Sequence, residues 1–207
     1  MDADGLFITI EGIDGSGKST QIARLAEALC AQGRTVITTR EPGGSPGAEE
    51  IRRLLVEGPP ERWSAETEIL LFTAARRDHM ERTIAPALAR GDIVLCDRFI
   101  DSTRAYQGHG PLRTMVDTLH ELAIGREPDL TLLLDIDPEN AFERAGQRAG
   151  GEDRFEQHGL SFQRTLRATF KDLAKAHPER IKIIDAAGDP SEVAARLLNV
   201  VTEKLGV

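Results

Sequence analysis

Apolar and polar positions follow two rhythms along this chain. Short, nearly unbroken apolar runs occur at residues 6–10, 92–96, 130–136 and 181–184, with a weaker β-prone run at 35–39. Between them, apolar residues fall three and four apart, as in Ile22, Leu25, Ala26 and Leu29, or Val193, Leu197, Val200 and Val201. The first rhythm predicts strands covered on both faces and the second predicts amphipathic helices. Further helices are predicted over residues 48–56, from a Ser64 cap toward Gly91 with an interruption at Pro86, and over 115–123. Others start at Asp137-Pro138, run over 160–175, and start at Asp189-Pro190. Residues 100–111 read as a loop with a short turn. This alternation predicts an α/β fold: a five-stranded parallel sheet with helices on both faces, in one domain over residues 1–207.

The first strand runs into Gly12-Ile13-Asp14-Gly15-Ser16-Gly17-Lys18-Ser19, followed by Thr20. The pattern G-x-x-x-x-G-K-[ST] between a strand and a helix is the phosphate-binding P-loop. Its glycines let backbone N–H groups turn inward around an anion, and the helix N-terminus adds partial positive charge there. Lys18 can reach the β- and γ-phosphates, and the Ser19 hydroxyl can ligate Mg²⁺. In a doubly wound sheet, ligands sit outside the carboxyl ends of the strands. The other candidate residues follow strands or lie on helices able to face that edge.

Composition narrows the partners. A formal net charge of −8 argues against general nucleic-acid binding. No apolar run approaches the roughly 18 residues of a membrane span. The acidic start Met1-Asp2-Ala3-Asp4-Gly5 lacks the form of a signal peptide, so a cytoplasmic setting is expected. Cys30 and Cys96 lie among apolar neighbours and are expected to be buried free thiols. The histidines show no metal-ligand spacing. Among the basic residues 21 are arginines and five are lysines; base-composition bias accounts for most surface arginines but not for those beside motifs.

Four further constellations can carry chemistry. Asp97 ends the third strand, where a carboxylate can hold Mg²⁺ as a Walker-B aspartate does; Asp135 is the alternative, although it can equally serve to end its strand. Arg98 and Arg76 can grip a second phosphate. Phe72 and Arg76 share a helix face at i, i+4, and the spacing alone leaves Phe72 open as core or as a stacking surface. Ser102, Thr103, Tyr106 and Gln107 place hydroxyl, phenol and amide groups in one short stretch, suited to reading a base or sugar. Arg144, Arg148 and Arg154 surround Gly150-Gly151 and suggest a basic lid over about residues 144–157.

The order of these motifs resembles the bacterial thymidylate kinases over nearly the whole length. The residues that carry it are 7–20, Thr39-Arg40-Glu41-Pro42-Gly43-Gly44, Leu71-Phe72-Thr73-Ala74-Ala75-Arg76, Asp97-Arg98, Ser102-Thr103, Ala105-Tyr106-Gln107-Gly108, Pro128-Asp129-Leu130-Thr131 and Asp153-Arg154-Phe155-Glu156. The resemblance implies a P-loop NTPase fold, phosphoryl transfer from ATP with Mg²⁺ to dTMP, and a homodimer. It implies ATP contacts from Gly12, Ile13, Asp14, Gly15, Ser16, Gly17, Lys18, Ser19 and Thr20, and metal contacts from Ser19 and Asp97. On the acceptor side it implies stacking by Phe72, a base contact from Arg76, a phosphate grip by Arg98, and Tyr106 near the sugar. Asp14 is implied at the 3′-hydroxyl or the metal shell, with Arg40, Glu41, Pro42, Ser102, Thr103 and Gln107 lining the acceptor site. Some family members carry an arginine in the P-loop beside the aspartate. Here Gly15-Ser16 stands there, so the cation that meets the transition state is expected from Arg148 or Arg154. The rival classes are a kinase for dCMP or a nucleoside, and a GTP-dependent switch; the latter lacks an N-K-x-D motif.

Overall fold

The computed structural model describes residues 5–146 and 159–206. Five strands, β1 (Leu6–Glu11), β2 (Val36–Arg40), β3 (Ile93–Asp97), β4 (Leu130–Asp135) and β5 (Ile181–Asp185), form one parallel sheet in the order β2-β3-β1-β4-β5. The chain builds out on one side of β1 and then crosses to the other, so the order reverses at β1 beside the P-loop. In register, Ile10 of β1 and Arg40 of β2 both stand opposite Asp97 of β3. Three motif-bearing strand ends therefore share one edge.

Period-two alternation divides the sheet between two cores. Ile8, Ile10, Leu95 and Leu132 pack with Leu25 and Leu29 of α1 (Lys18–Ala31), Leu166 and Phe170 of α8 (Leu160–Ala176), and Leu197 of α9 (Pro190–Leu205). Phe7, Val94 and Cys96 face the opposite layer, with Ile69, Ile84, Phe99 and Val116. Each such buried side chain contributes on the order of 1.5–3 kcal/mol. Helix starts follow local chemistry. Ser64 Oγ accepts from Thr67 N–H ahead of α3 (Ala65–His79), and Asp189 accepts from Ser191 N–H ahead of α9. The helix from Ser64 is interrupted before Pro86, as expected. A π turn (Met80–Ile84) joins α3 to α4 (Ala85–Ala89), with Ala85 N–H reaching back to Met80 O. The remaining helices are α2 (Pro46–Val56), α5 (Ile100–Tyr106), α6 (Leu112–Ala123) and α7 (Pro138–Gly146).

Two sequence expectations are corrected. Cys30 is exposed, whereas Cys96 is buried. One residue beyond Leu29, Cys30 is turned about 100° from the inward face of α1. Residues 100–106 form α5 rather than a loop. Its buried positions include charged residues, which hides the helical period: Asp101 and Arg104 are seated by ion pairs instead of apolar contacts. Asp101 accepts from Arg180 at 2.5 and 3.1 Å and from Arg104 at 3.0 Å, and Arg104 also reaches Asp117 and Glu127. Such charges are tolerable in the interior because each is paired.

His120 of α6 sits beside this cluster and is 4% exposed. It lies 3.4 Å from Glu127 Oε1, yet neither ring nitrogen makes a hydrogen bond among the described residues. Burial, reinforced by Arg76 and Arg104 and opposed by Glu127, pushes its pKa down to about 4. The unfolded chain therefore takes up a proton near pH 6.5 that the folded chain refuses, so this stability is full above that pH and is lost toward about pH 4. Glu11, pushed up to about 7, acts with the opposite sign in an overlapping window. The informative measurement is thus the difference in urea midpoint between the parent and His120→Leu. The parent is expected to lose on the order of 1–3 kcal/mol relative to the variant between about pH 7 and about pH 5; parallel pH curves would assign the effect elsewhere.

Candidate functional site

The carboxyl edge of the sheet opens into a cavity of about 270 Å³ that joins two groups of residues. Asp14, Gly15, Gly17, Lys18 and Ser19 of the P-loop form one wall. Arg40, Glu41, Pro42, Phe72, Arg76, Asp97, Arg98, Ser102, Thr103, Tyr106 and Gln107 line the rest. Asp14 and Tyr106, 92 positions apart in sequence, are hydrogen-bonded here.

In the P-loop, Gly12, Gly15 and Gly17 all have positive φ, the conformation that L side chains rarely adopt. Gly15 is also in close packing: at φ 80 its Cβ would come within 2.0 Å of the Ala141 carbonyl oxygen of α7. An arginine at this position is incompatible with that backbone. Lys18 Nζ donates to the carbonyls of Gly12 and Ile13 at 3.0 Å. Burial lowers its pKa to about 8, helped by Arg98 and resisted by Asp14, Asp97 and Glu11. Thr20 is exposed at the second position after Lys18.

Ser19 Oγ donates to Asp97 Oδ2 at 3.3 Å, while Asp97 Oδ1 is buried with no hydrogen-bond partner among the described residues. An unpartnered carboxylate oxygen next to a P-loop hydroxyl fits a Mg²⁺ ion that takes its other ligands from phosphate and water. Asp135 does not fit: Arg167 holds it at 2.6 and 3.1 Å and Lys171 at 3.3 Å.

Arg98 follows Asp97 with φ 68, the one non-glycine residue at positive φ among those described. Its guanidinium donates to Asp14 Oδ1 at 2.5 Å and to Ser102 Oγ at 3.0 Å, and lies 5.2 Å from the centre of the Tyr106 ring. The Tyr106 hydroxyl donates to Asp14 Oδ2 at 3.1 Å. Burial alone would raise the Asp14 pKa, but Arg98 and Lys18, with hydrogen bonds from Tyr106 and Gln163, hold it below the usual range. Burial also drives the Tyr106 phenol above its ordinary range.

A second arginine is fixed from behind. Arg76 is 2% exposed. Its Nε donates to Glu41 Oε2 at 2.7 Å, its Nη2 donates to Thr103 Oγ1 at 2.9 Å, and its guanidinium stacks 5.0 Å from the Phe99 ring centre. The other Glu41 oxygen lies 3.1 Å from His79 Nδ1, and His79 Nε2 lies 2.7 Å from Thr39 Oγ1. A carboxylate can only accept, so Nδ1 carries the proton and, in the neutral ring, Nε2 accepts from the Thr39 hydroxyl. Gly44 makes room for this imidazole: a Cβ there would stand 2.3 Å from His79 Nε2. Both Glu41 oxygens are thus directed at protein partners, as is Thr103 Oγ1. Gln107 reaches Glu68 Oε2 at 3.3 Å, and Arg40 pairs with Glu49 at 3.1 Å. Phe72 is half-buried on the cavity wall.

Among the described residues, the cavity is lined by Asp14, Gly15, Gly17, Lys18, Ser19 and Asp97 and by each expected acceptor-side residue. Gly12, Ile13, Ser16 and Thr20 are not among its lining residues, and Ile13 packs in an apolar core. Of the segment 144–157, it describes the backbone as far as Gly146 at the end of α7; Arg148 and Arg154 lie outside the described residues. Sequence reading missed Glu11 and His79. Glu11 ends β1 fully buried and accepts from Phe99 N–H at 2.8 Å and from Ser102 Oγ at 2.6 Å. The only local signal for it is a carboxylate at the end of an apolar strand.

A parallel sheet whose phosphate loop faces an arginine-lined wall across one cavity is the architecture of P-loop nucleotide kinases. The family model described as thymidylate kinase matches residues 10–197. A protein described as thymidylate kinase from Ruegeria pomeroyi is 62% identical over 99% of this chain and 98% of its own. One so described from Caulobacter vibrioides is 53% identical, covering 98% and 99%. The crystal structure of thymidylate kinase from Ehrlichia chaffeensis superposes with a TM-score of 0.78 at 35% identity, covering 95% of this chain and 98% of that one. The chain belongs to the thymidylate kinase family.

Proposed function

We propose that this chain transfers the γ-phosphoryl group of ATP to dTMP, giving dTDP and ADP in the supply of dTTP. The observation that carries this reading is the single cavity in which Lys18 and the P-loop face Phe72, Arg76, Arg98 and Tyr106. In this reading the P-loop wall takes the donor phosphates and the wall bearing Phe72, Arg76 and Arg98 takes the acceptor beside them.

Lys18 and the loop amides bind the donor phosphates. When bound by Ser19 and Asp97, Mg²⁺ supplies charge neutralisation across those phosphates. Arg98 grips the acceptor phosphate and aims one of its oxygens at the γ-phosphorus. That oxygen forms the new O–P bond as the bond to the departing ADP oxygen breaks. The attacking phosphate is already anionic, so positioning and charge stabilisation suffice without a general base. Phe72 stacks on the thymine and Arg76, locked by Glu41 and Thr103, contacts it. Tyr106, with Asp14, borders the sugar, and Arg40, Pro42, Ser102 and Gln107 complete the wall. The transition-state cation is assigned to Arg148 or Arg154 on the family resemblance and on the lack of space at Gly15. A homodimer and a cytoplasmic setting complete the reading; light scattering and cell fractionation test them.

An acceptor screen with ATP, Mg²⁺ and dTMP, dUMP, dGMP, dCMP or thymidine tests the activity by ADP release. dTMP is expected to give the highest kcat/KM, and preference for dCMP or thymidine would overturn the reading. Phe72→Ala is expected to raise KM for dTMP by the loss of about 1–3 kcal/mol of stacking while largely preserving kcat. A KM that stays in place would remove Phe72 from the base.

A further inference from the structure

We propose that Glu11 is the positioning residue for Arg98: its carboxylate holds the turn that presents the guanidinium to the acceptor phosphate. This rests on the role given to Arg98 above. Glu11 is the last residue of β1 and is 0% exposed. One oxygen, Oε1, accepts from Phe99 N–H at 2.8 Å and Ser102 N–H at 3.3 Å. The other, Oε2, accepts from Ser102 Oγ at 2.6 Å, and the same Ser102 Oγ accepts from Arg98 Nη1 at 3.0 Å. Backbone and side chain of Arg98 are therefore both tied to this carboxylate, one through the next residue's amide and the other through a single hydroxyl.

The backbone needs such a tie. A left-handed conformation costs a non-glycine residue stabilisation that the surroundings must restore. Arg98 adopts it between two fixed points: its own N–H bonds Ile10 O at 3.0 Å, and the following amide bonds Glu11. Consecutive residues of β1 thus clamp consecutive residues of the turn. Phe99 is fully buried, its ring edge-on to Phe7 at 4.9 Å, so its N–H has no water to replace a lost acceptor. Retaining a carboxylate here is costly, since burial and Asp101 push its pKa up, against Arg98 and its hydrogen bonds. An apolar side chain would suit this depth better if packing were its whole purpose.

The test is a double-mutant cycle on kcat/KM for dTMP with Glu11→Ala, Glu11→Gln and Arg98→Ala, alongside KM for ATP and the melting temperature. Glu11→Gln keeps the shape and an oxygen for both amides, but offers Ser102 Oγ a donor in place of an acceptor. It supplies a folded variant should Glu11→Ala melt. Glu11→Ala is expected to lower kcat/KM for dTMP on the order of 10²-fold, the scale of an ångström of misplacement, and Glu11→Gln by about tenfold or less. Neither should raise KM for ATP more than about twofold. In the Arg98→Ala background, either substitution is expected to cost no more than about threefold, because the group it positions is gone. Equal costs in both backgrounds, or parallel rises in both KM values, would make Glu11 a fold-supporting residue and overturn the proposal. An Arg98→Ala enzyme with full kcat/KM would instead overturn the role of Arg98, and the proposal with it.

Discussion

Lys18→Ala is expected to lower kcat on the order of 10²–10³-fold while moving the melting temperature little. The loss is the scale of removing one donor aimed at developing charge in a dry site. Lys18 is 8% exposed and held on two loop carbonyls at 3.0 Å. Its pKa, lowered to about 8, still leaves it mostly charged at neutral pH. Stability should change little, because two opposing terms are removed together: two hydrogen bonds and a buried charge. Lys18→Arg is not expected to rescue, since a planar fork cannot stand in for a compact ammonium against the same carbonyls. Steady-state turnover with saturating ATP and dTMP, read beside thermal melts, checks this. Near-parental kcat in the alanine variant would mean that the loop does not handle the transferred phosphate.

The second large effect is expected from one of two arginines. Replacing the essential member of Arg148 and Arg154 by alanine should lower kcat on the order of 10³–10⁵-fold, the range of a cation supplied to a transferring phosphoryl group. The other should cost about tenfold or less, the scale of one ordinary hydrogen bond. The asymmetry is expected because one cation at the γ-phosphate does most of the work. Gly15 offers no side chain at the loop position where an arginine could supply it. Single-turnover rates with bound ATP and dTMP separate this chemical step from product release. Parental rates in both single variants and in the double variant would take the cation out of this segment.

Legibility tracked the range of each interaction. The P-loop, the Asp97-Arg98 pair and the alternation of strands and helices were readable because each depends on neighbours within a few positions. Asp97 could be preferred over Asp135 from its place in the sequence, and the Ser19 hydroxyl beside Asp97 and the Arg167 and Lys171 ion pairs on Asp135 favour the same choice. Phe72, open between core and stacking surface in the sequence, lies on the cavity wall. Glu41 and Thr103 were readable as site residues, but not as the clamp on Arg76, which spans 35 and 27 positions. Glu11 and His79 left no periodic mark because their partners lie up to 91 positions away and their burial is by hydrogen bonds. The same holds for α5: helical periodicity is an apolar signal, and a helix seated by Asp101 and Arg104 does not emit it.

The contact between Gly15 and Ala141 bears on how this chain could change over generations. Arginine at position 15 would meet the backbone of α7 before it reached any phosphate. A relative that places its cation in the loop must therefore seat that helix differently. No single substitution carries the chain from one arrangement to the other, because the intermediate pays the steric cost before gaining any catalytic benefit. Residue 15 and the seating of α7 are therefore expected to vary together among relatives, which a comparison of their sequences at position 15 and along this helix would check.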